Sequence, residues 1–221
     1  DGYATAVAGA ILAKGKATAK QTVKNTVKVT IYPAIIRANS HDVTISVLAK
    51  DTTNQLKAMG GAGGVAAGSS VEAASDMTVT ALVEFLNGTG SNHAVVSAPG
   101  RDILVNTRTD TTAKVFGQIK FTVDGLSFLS TDVKNKMNIA STVNLGAYAE
   151  LSAGNDLSIA ALIGSIYALA SAYSETGSII NTQSRPTAEV NVTAKAWIRG
   201  AENAKLSAAN LLSLVAATAE N

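Results

Sequence analysis

Between residues 22 and 31 the chain alternates as Thr-Val-Lys-Asn-Thr-Val-Lys-Val-Thr-Ile, with Val27, Val29 and Ile31 on one side and Thr26, Lys28 and Thr30 on the other. A period of two is the signature of a half-buried strand. Segments of the same kind occupy residues 77–85, 137–145 and 189–198. A second pattern, polar turn residues leading into a short strand, is set by Asn39-Ser40-His41-Asp42-Val43-Thr44-Ile45-Ser46-Val47. It returns at residues 100–106, 154–160 and 202–208. With position 42 as the marker, the counterparts are 102, 156 and 205, so the repeat is irregular and its spacing shortens along the chain. Val29, Val143 and Val192 stand at one fixed interval ahead of the markers 42, 156 and 205, and Asp-Thr-Thr occurs at both 51–53 and 110–112. The unit beginning at 42 carries extra residues, 92–99, before Asp102.

These patterns divide the chain into units 42–101, 102–155 and 156–204, flanked by partial units 1–41 and 205–221, all within one segment. Strands spaced roughly 13 to 20 residues apart, with Asn, Asp, Gly and Ser turns, predict an all-β parallel β-helix, or β-solenoid. A coil of roughly 20 residues would give three coils per unit and about eleven in all, a rod some 50 Å long at about 4.8 Å per layer. Antiparallel β-sandwich domains are the alternative; they account for the alternation but not for the repeat. A helix competes where Ala and Leu are dense, at 157–173 and 204–219, and the repeat alignment assigns both to strand. Residues 3–20 fit a helix or small-residue strands, and their Gly and Thr content favours strand. Pro33, lacking a backbone donor, is expected at a strand end.

Composition sharpens this picture. Of 221 residues 47% are hydrophobic but only 5% aromatic, with 18 Gly and 3 Pro. Small and β-branched side chains suit thin stacked layers better than a bulky core. Charged residues make up 15%, against about 25% in ordinary soluble domains. The net charge of +2 comes with scattered Lys and Arg and no basic stripe interleaved with aromatics, so nucleic acid is not an expected partner. Without cysteine there are no disulfides, thiolate metal sites or Cys nucleophiles. Lys14 and Lys16 close the apolar stretch at 4–13, so no helical membrane span is expected. The chain does not open with Met, and its first residues already fit a repeat, as if a leader had been removed or more chain preceded them.

Candidate chemistry is sparse. Residues 60–71 are rich in glycine, but a phosphate loop needs a preceding strand, a following helix and Gly-Lys-Ser/Thr; close approach of stacked layers is the better reading. His41 and His93 sit beside Asn and Ser turn residues without the further ligands zinc requires, and read as exposed turn residues. Asp110, Asp124 and Asp132 form the one acidic cluster that a polysaccharide-cleaving β-helix could use as a carboxylate pair. Scarce aromatics argue against sugar stacking. Calcium loops and a Gly-x-Ser-x-Gly elbow are absent from the sequence, so no catalytic residue, metal or cofactor is assigned. Thr78 and Thr80, and Thr107, Thr109 and Thr111, are read as solvated strand faces. Asn87-Gly88-Thr89 and Asn191-Val192-Thr193 match a glycosylation pattern that chance supplies at this Asn content.

The order Asp-Val-Thr-Ile-Ser, then Asp-Thr-Thr, then a Gly/Ala/Val block at 59–71, then Met77-Thr78-Val79-Thr80-Ala81, resembles the repeats of very large bacterial surface adhesins of the filamentous haemagglutinin-like and leukotoxin-type families. The likeness is most specific at residues 39–85. It implies a secreted, cell-surface protein: a non-enzymatic stalk or filament segment acting in adhesion or extracellular assembly. The partners it implies are further repeats or a second copy of the chain, and a cell-surface or glycan ligand. A self-polymerising filament subunit is the alternative, and a carbohydrate-active β-helix enzyme a third reading.

Overall fold

The computed structural model describes residues 2–9, 12–120, 126–175 and 181–218. Among these residues the regular structure is all strand. The chain winds through three strands per turn. The first coil holds β1 (Gly2–Gly9), β2 (Leu12–Ile31) and β3 (Ile35–Arg37), and the second β4 (Val43–Gly63), β5 (Ala66–Phe85) and β6 (Val95–Ala98). The third holds β7 (Ile103–Ile119), β8 (Leu126–Leu145) and β9 (Glu150–Ala153), and the fourth β10 (Leu157–Ser174), β11 (Asn181–Gly200) and β12 (Lys205–Ala208), after which β13 (Leu212–Thr218) opens another turn. Successive coils stack into sheet A (β1-β4-β7-β10-β13), sheet B (β2-β5-β8-β11) and sheet C (β3-β6-β9-β12). Every pairing is parallel. This is the parallel β-helix expected, and it rules out the antiparallel sandwich. The dense Ala/Leu stretches fall in β10, β12 and β13.

The size of the coil differs from the expectation. One whole repeat unit is one coil, not three, because β5, β8 and β11 are each a single strand of 20 residues without a corner. At about 3.3 Å per residue such strands extend about 65 Å, while five layers of sheet A at about 4.8 Å rise only about 20 Å. The molecule is thus a broad, shallow stack and not a slender rod. The Asp-Thr-Thr stretches lie inside β4 and β7; Asp51 pairs with Thr111, and β4 takes up one extra residue before Asn54 pairs with Ala113. The last unit also shifts. Leu157 pairs with Leu212, so the counterpart of Asp156 is Leu211 and not Lys205, which lies in β12 opposite Glu150. Val143 pairs with Ile198, not Val192, and Ile198 precedes Leu211 by the interval that separates Val143 from Asp156.

Strict alternation explains why the strands form and what they bury. β5 is buried at every second residue along its length. Val71, Ala73, Met77, Val79, Ala81, Val83 and Phe85 face inward, and Glu72, Asp76, Thr78, Thr80 and Glu84 outward. Inward rows continue from coil to coil, as in Val29–Val83–Val143–Ile198. Burying each such side chain stabilises the stack by about 1.5–3 kcal/mol. Gly60 and Gly61 sit at the close approach of layers expected for this stretch: a Cβ on Gly60 would press on Val71 and Ser69, and one on Gly61 on the Lys120 carbonyl.

Polar groups fix the corners and divide the core. At the corner entering sheet A, Asp42 accepts the Asp102 amide at 3.1 Å, and Asp102 accepts the Asp156 amide at 3.1 Å and the Asn155 Nδ2 at 2.7 Å. Asp156 then accepts Asn210 Nδ2 at 2.7 Å. Asn87 plays the matching part at another corner, accepting the Ala147 amide at 2.8 Å. Inside, Gln21, Ser75 and Asn135 stack in register between two separate hydrophobic clusters. The Asn135 amide donates across the core to the Ala113 and Leu169 carbonyls, both at 3.1 Å.

Pro33 falls between β2 and β3 as expected. Pro186, in contrast, lies within β11. Ala201 N donates to the Leu145 carbonyl, so odd-numbered β11 amides point to β8 and even-numbered ones away from it. Pro186 therefore omits a donor on the side where no described strand pairs with β11.

Candidate functional site

The expected acidic cluster is not brought together. Asp110 projects from the outer face of sheet A and Asp132 from that of sheet B, and the inner faces of these sheets pack on each other. Asp124 lies outside the described residues. Asp110 has a structural partner: β10 carries an extra residue around Gly164 and Ser165 relative to β7, and the carboxylate accepts the Ser165 amide at 3.0 Å and the Arg108 Nε at 3.1 Å. A Cβ at Gly164 would collide with the same carboxylate. Replacing Asp110 by Ala strands the bulge amide and should cost about 1–2 kcal/mol. A urea titration should show the midpoint falling, and an unchanged midpoint would show that Asp110 has no such part.

Asp132 accepts from Lys134 at 3.1 Å and from the Thr187 hydroxyl at 3.2 Å. It holds the Lys134 ammonium above its usual pKa of 10.5, chiefly through that hydrogen bond and then by charge attraction. The outer face of sheet B carries further ion pairs, Lys20–Glu72 at 2.7 Å, Lys28–Glu84 at 2.5 Å and Lys136–Asp76 at 3.5 Å. Trp197 stands on the same face with the Arg199 guanidinium 3.8 Å from its ring centre.

His41 is exposed and touches the Ser40 hydroxyl. His93 is half-buried, which corrects its reading as an exposed residue: Nδ1 lies 3.0 Å from the Thr89 carbonyl and Nε2 3.9 Å from Glu150, within the loop that the extra residues build. Thr107, Thr109 and Thr111 are buried, not solvated. The Thr107 hydroxyl accepts from Ser141 and Thr109 donates to the Ala140 carbonyl, so polar residues fill inward positions. Thr78 and Thr80 do face outward. Among the described residues no group of His, Asp and Glu is placed to hold a metal, and no helix is long and apolar enough to cross a membrane.

What the linear sequence concealed is a strip on the outer face of sheet A. Register places Tyr3, Lys57, Phe116 and Ser171 side by side, with Met59, Gln118 and Tyr173 in the next outward row and Gln55, Lys114 and Leu169 in the row before. Tyr167 follows beyond Leu169, its ring centre 5.4 Å from the Lys114 ammonium. Tyr3, Tyr167 and Tyr173 are 67%, 49% and 51% exposed. Between Phe116 and Tyr173 lies a groove of about 430 Å³ whose walls include Gln55, Lys57, Gln118 and Ser171. Residues 55–59, 112–118 and 167–173 contain no carboxylate, and neither Lys57 nor Lys114 forms an ion pair among the described residues. The signal was present only as outward positions one coil apart, readable once the coil length is known.

No protein family, no curated protein and no solved structure matches this chain.

Proposed function

We propose that the chain is a non-enzymatic, extracellular structural segment, the stalk or filament part of an adhesin-like surface protein. The observation that carries this reading is the parallel stacking of four long coils, in register but for one bulge in β4 and one in β10, whose outermost described strands keep free edges. β4 is paired on the β1 side only along residues 56–63, and β11 has a partner on one side alone among the described residues. Val190, Val192, Leu212 and Leu214 are exposed there, although their rows are buried elsewhere in the stack. Such edges take further layers readily. The structural partners of Asp110 and Asp132, on opposite faces, favour a scaffold over a carboxylate-pair enzyme.

The same edges favour, as a second reading, a subunit that polymerises by strand addition. Antibodies raised against the folded chain should label intact, unpermeabilised cells that make the protein; label confined to the cell interior would overturn the surface assignment. Sizing the purified chain over a concentration series separates the two readings, since growth of the particle with concentration is expected only of the polymerising subunit.

A further inference from the structure

We infer that the strip on the outer face of sheet A is a binding site for an acidic polysaccharide, a chain of sugar rings bearing carboxylates. Three features converge. First, aromatic rings are scarce in this chain, and the fold gathers four of them, Tyr3, Phe116, Tyr167 and Tyr173, from three strands onto one flat face. Phe116 and Tyr173 sit on adjacent strands, offset by two residues, so their Cα atoms are about 8 Å apart. That leaves an aromatic ring on either side of the groove, a spacing that suits stacking against successive planar or chair-shaped rings.

Second, the groups between the rings are neutral hydrogen-bonding ones: the Gln55 and Gln118 amides and the Ser171 hydroxyl. Amides donate and accept together, which suits the hydroxyls of a sugar. Third, among the described residues the charge on the strip has one sign. Lys57 borders the groove, and Lys114 lies beside Tyr167. No carboxylate neutralises them within residues 55–59, 112–118 and 167–173, whereas on sheet B Lys20, Lys28, Lys134 and Lys136 each have an acid partner. The volume of about 430 Å³ falls in the range of ligand sites, about 300–1,000 Å³. The choice of sugar over single-stranded nucleic acid follows from the ratio of groups. A phosphate backbone calls for a cation beside nearly every residue, and here two lysines stand among four rings and three neutral polar side chains.

The test is calorimetric titration of the folded chain with oligogalacturonate, with maltooligosaccharide as the neutral control and oligothymidylate as the anionic, base-bearing one. Oligogalacturonate should bind saturably, and more tightly than either control. Tyr173→Ala, which removes an exposed ring, should weaken it about 10-fold, and Phe116→Ala about as much. Lys57→Gln should weaken oligogalacturonate and flatten its salt dependence. Trp197→Ala, on sheet B, should change nothing. The inference is overturned if oligogalacturonate does not bind, if maltooligosaccharide or oligothymidylate binds as well or better, or if Tyr173→Ala leaves the affinity unaltered in a chain whose circular dichroism is that of the parent.

Discussion

Val79→Asp should unfold the stack, and Thr78→Asp, one residue away, should leave it standing. Val79 is wholly buried in β5, between Asn25 of β2 and Ile139 of β8, with no buried cation among the described residues to answer a carboxylate. An uncompensated buried charge costs about 3–5 kcal/mol, a large part of the about 5–15 kcal/mol by which whole domains are stable. Thr78 faces outward and pairs with Lys24, so an acid there meets an opposite charge across the ladder and should shift stability by no more than about 0.5 kcal/mol. Thermal melting followed by far-ultraviolet circular dichroism distinguishes the two. Equal losses would mean that β5 does not present alternate residues to opposite faces.

Asp102→Ala should be the most damaging change at a corner. It takes away the acceptor of the Asp156 amide and of the Asn155 side chain, leaving two donors of the next coil unmatched. Hydrogen bonds to a charged acceptor contribute about 1.5–3 kcal/mol each, and with solvent reaching part of this corner a total loss of about 2–3 kcal/mol is expected. Asp102→Asn keeps an acceptor oxygen in place and should lose less than half as much. Denaturant midpoints rank the three proteins, and exchange of the Asp156 amide should quicken only in the Ala variant. If Asn and Ala lose equally, the corner depends on charge and not on an acceptor at that point.

Much of the architecture could be read from the residues. Alternation marked β2, β5 and β8, and the markers at 42, 102 and 156 each precede a strand of sheet A by one residue. The coil length is not legible in the residues because strands in most proteins run about 5–6 residues, and nothing in the polar stretch at 51–53 marks it as the interior of a 21-residue strand. The final marker was misplaced because Glu202-Asn203-Ala204-Lys205 also turns into a strand, β12, and only pairing of Leu157 with Leu212 separates the two corners. Thr107, Thr109 and Thr111 point inward although free hydroxyls favour water; inside, Ser141 and the Ala140 carbonyl satisfy two of them, which no local pattern announces. The strip of sheet A was invisible for a different reason. Tyr3, Lys57, Phe116 and Ser171 are neighbours only across coils, so no window along the chain contains them.

A strand that alternates for as long as β5 or β8 has a weakness: sliding it by two positions returns every apolar side chain to the interior, and hydrophobic burial barely distinguishes the two settings. The stacked Gln21, Ser75 and Asn135 break that degeneracy. Such a slip of β8 would bring Val133 or Met137 beside Ser75 and carry the Asn135 amide away from the Ala113 and Leu169 carbonyls. The polar rung thus acts as an index mark for the first three coils, giving up some burial so that each of them settles on its neighbour in only one place, while the fourth coil places Val190 in that row.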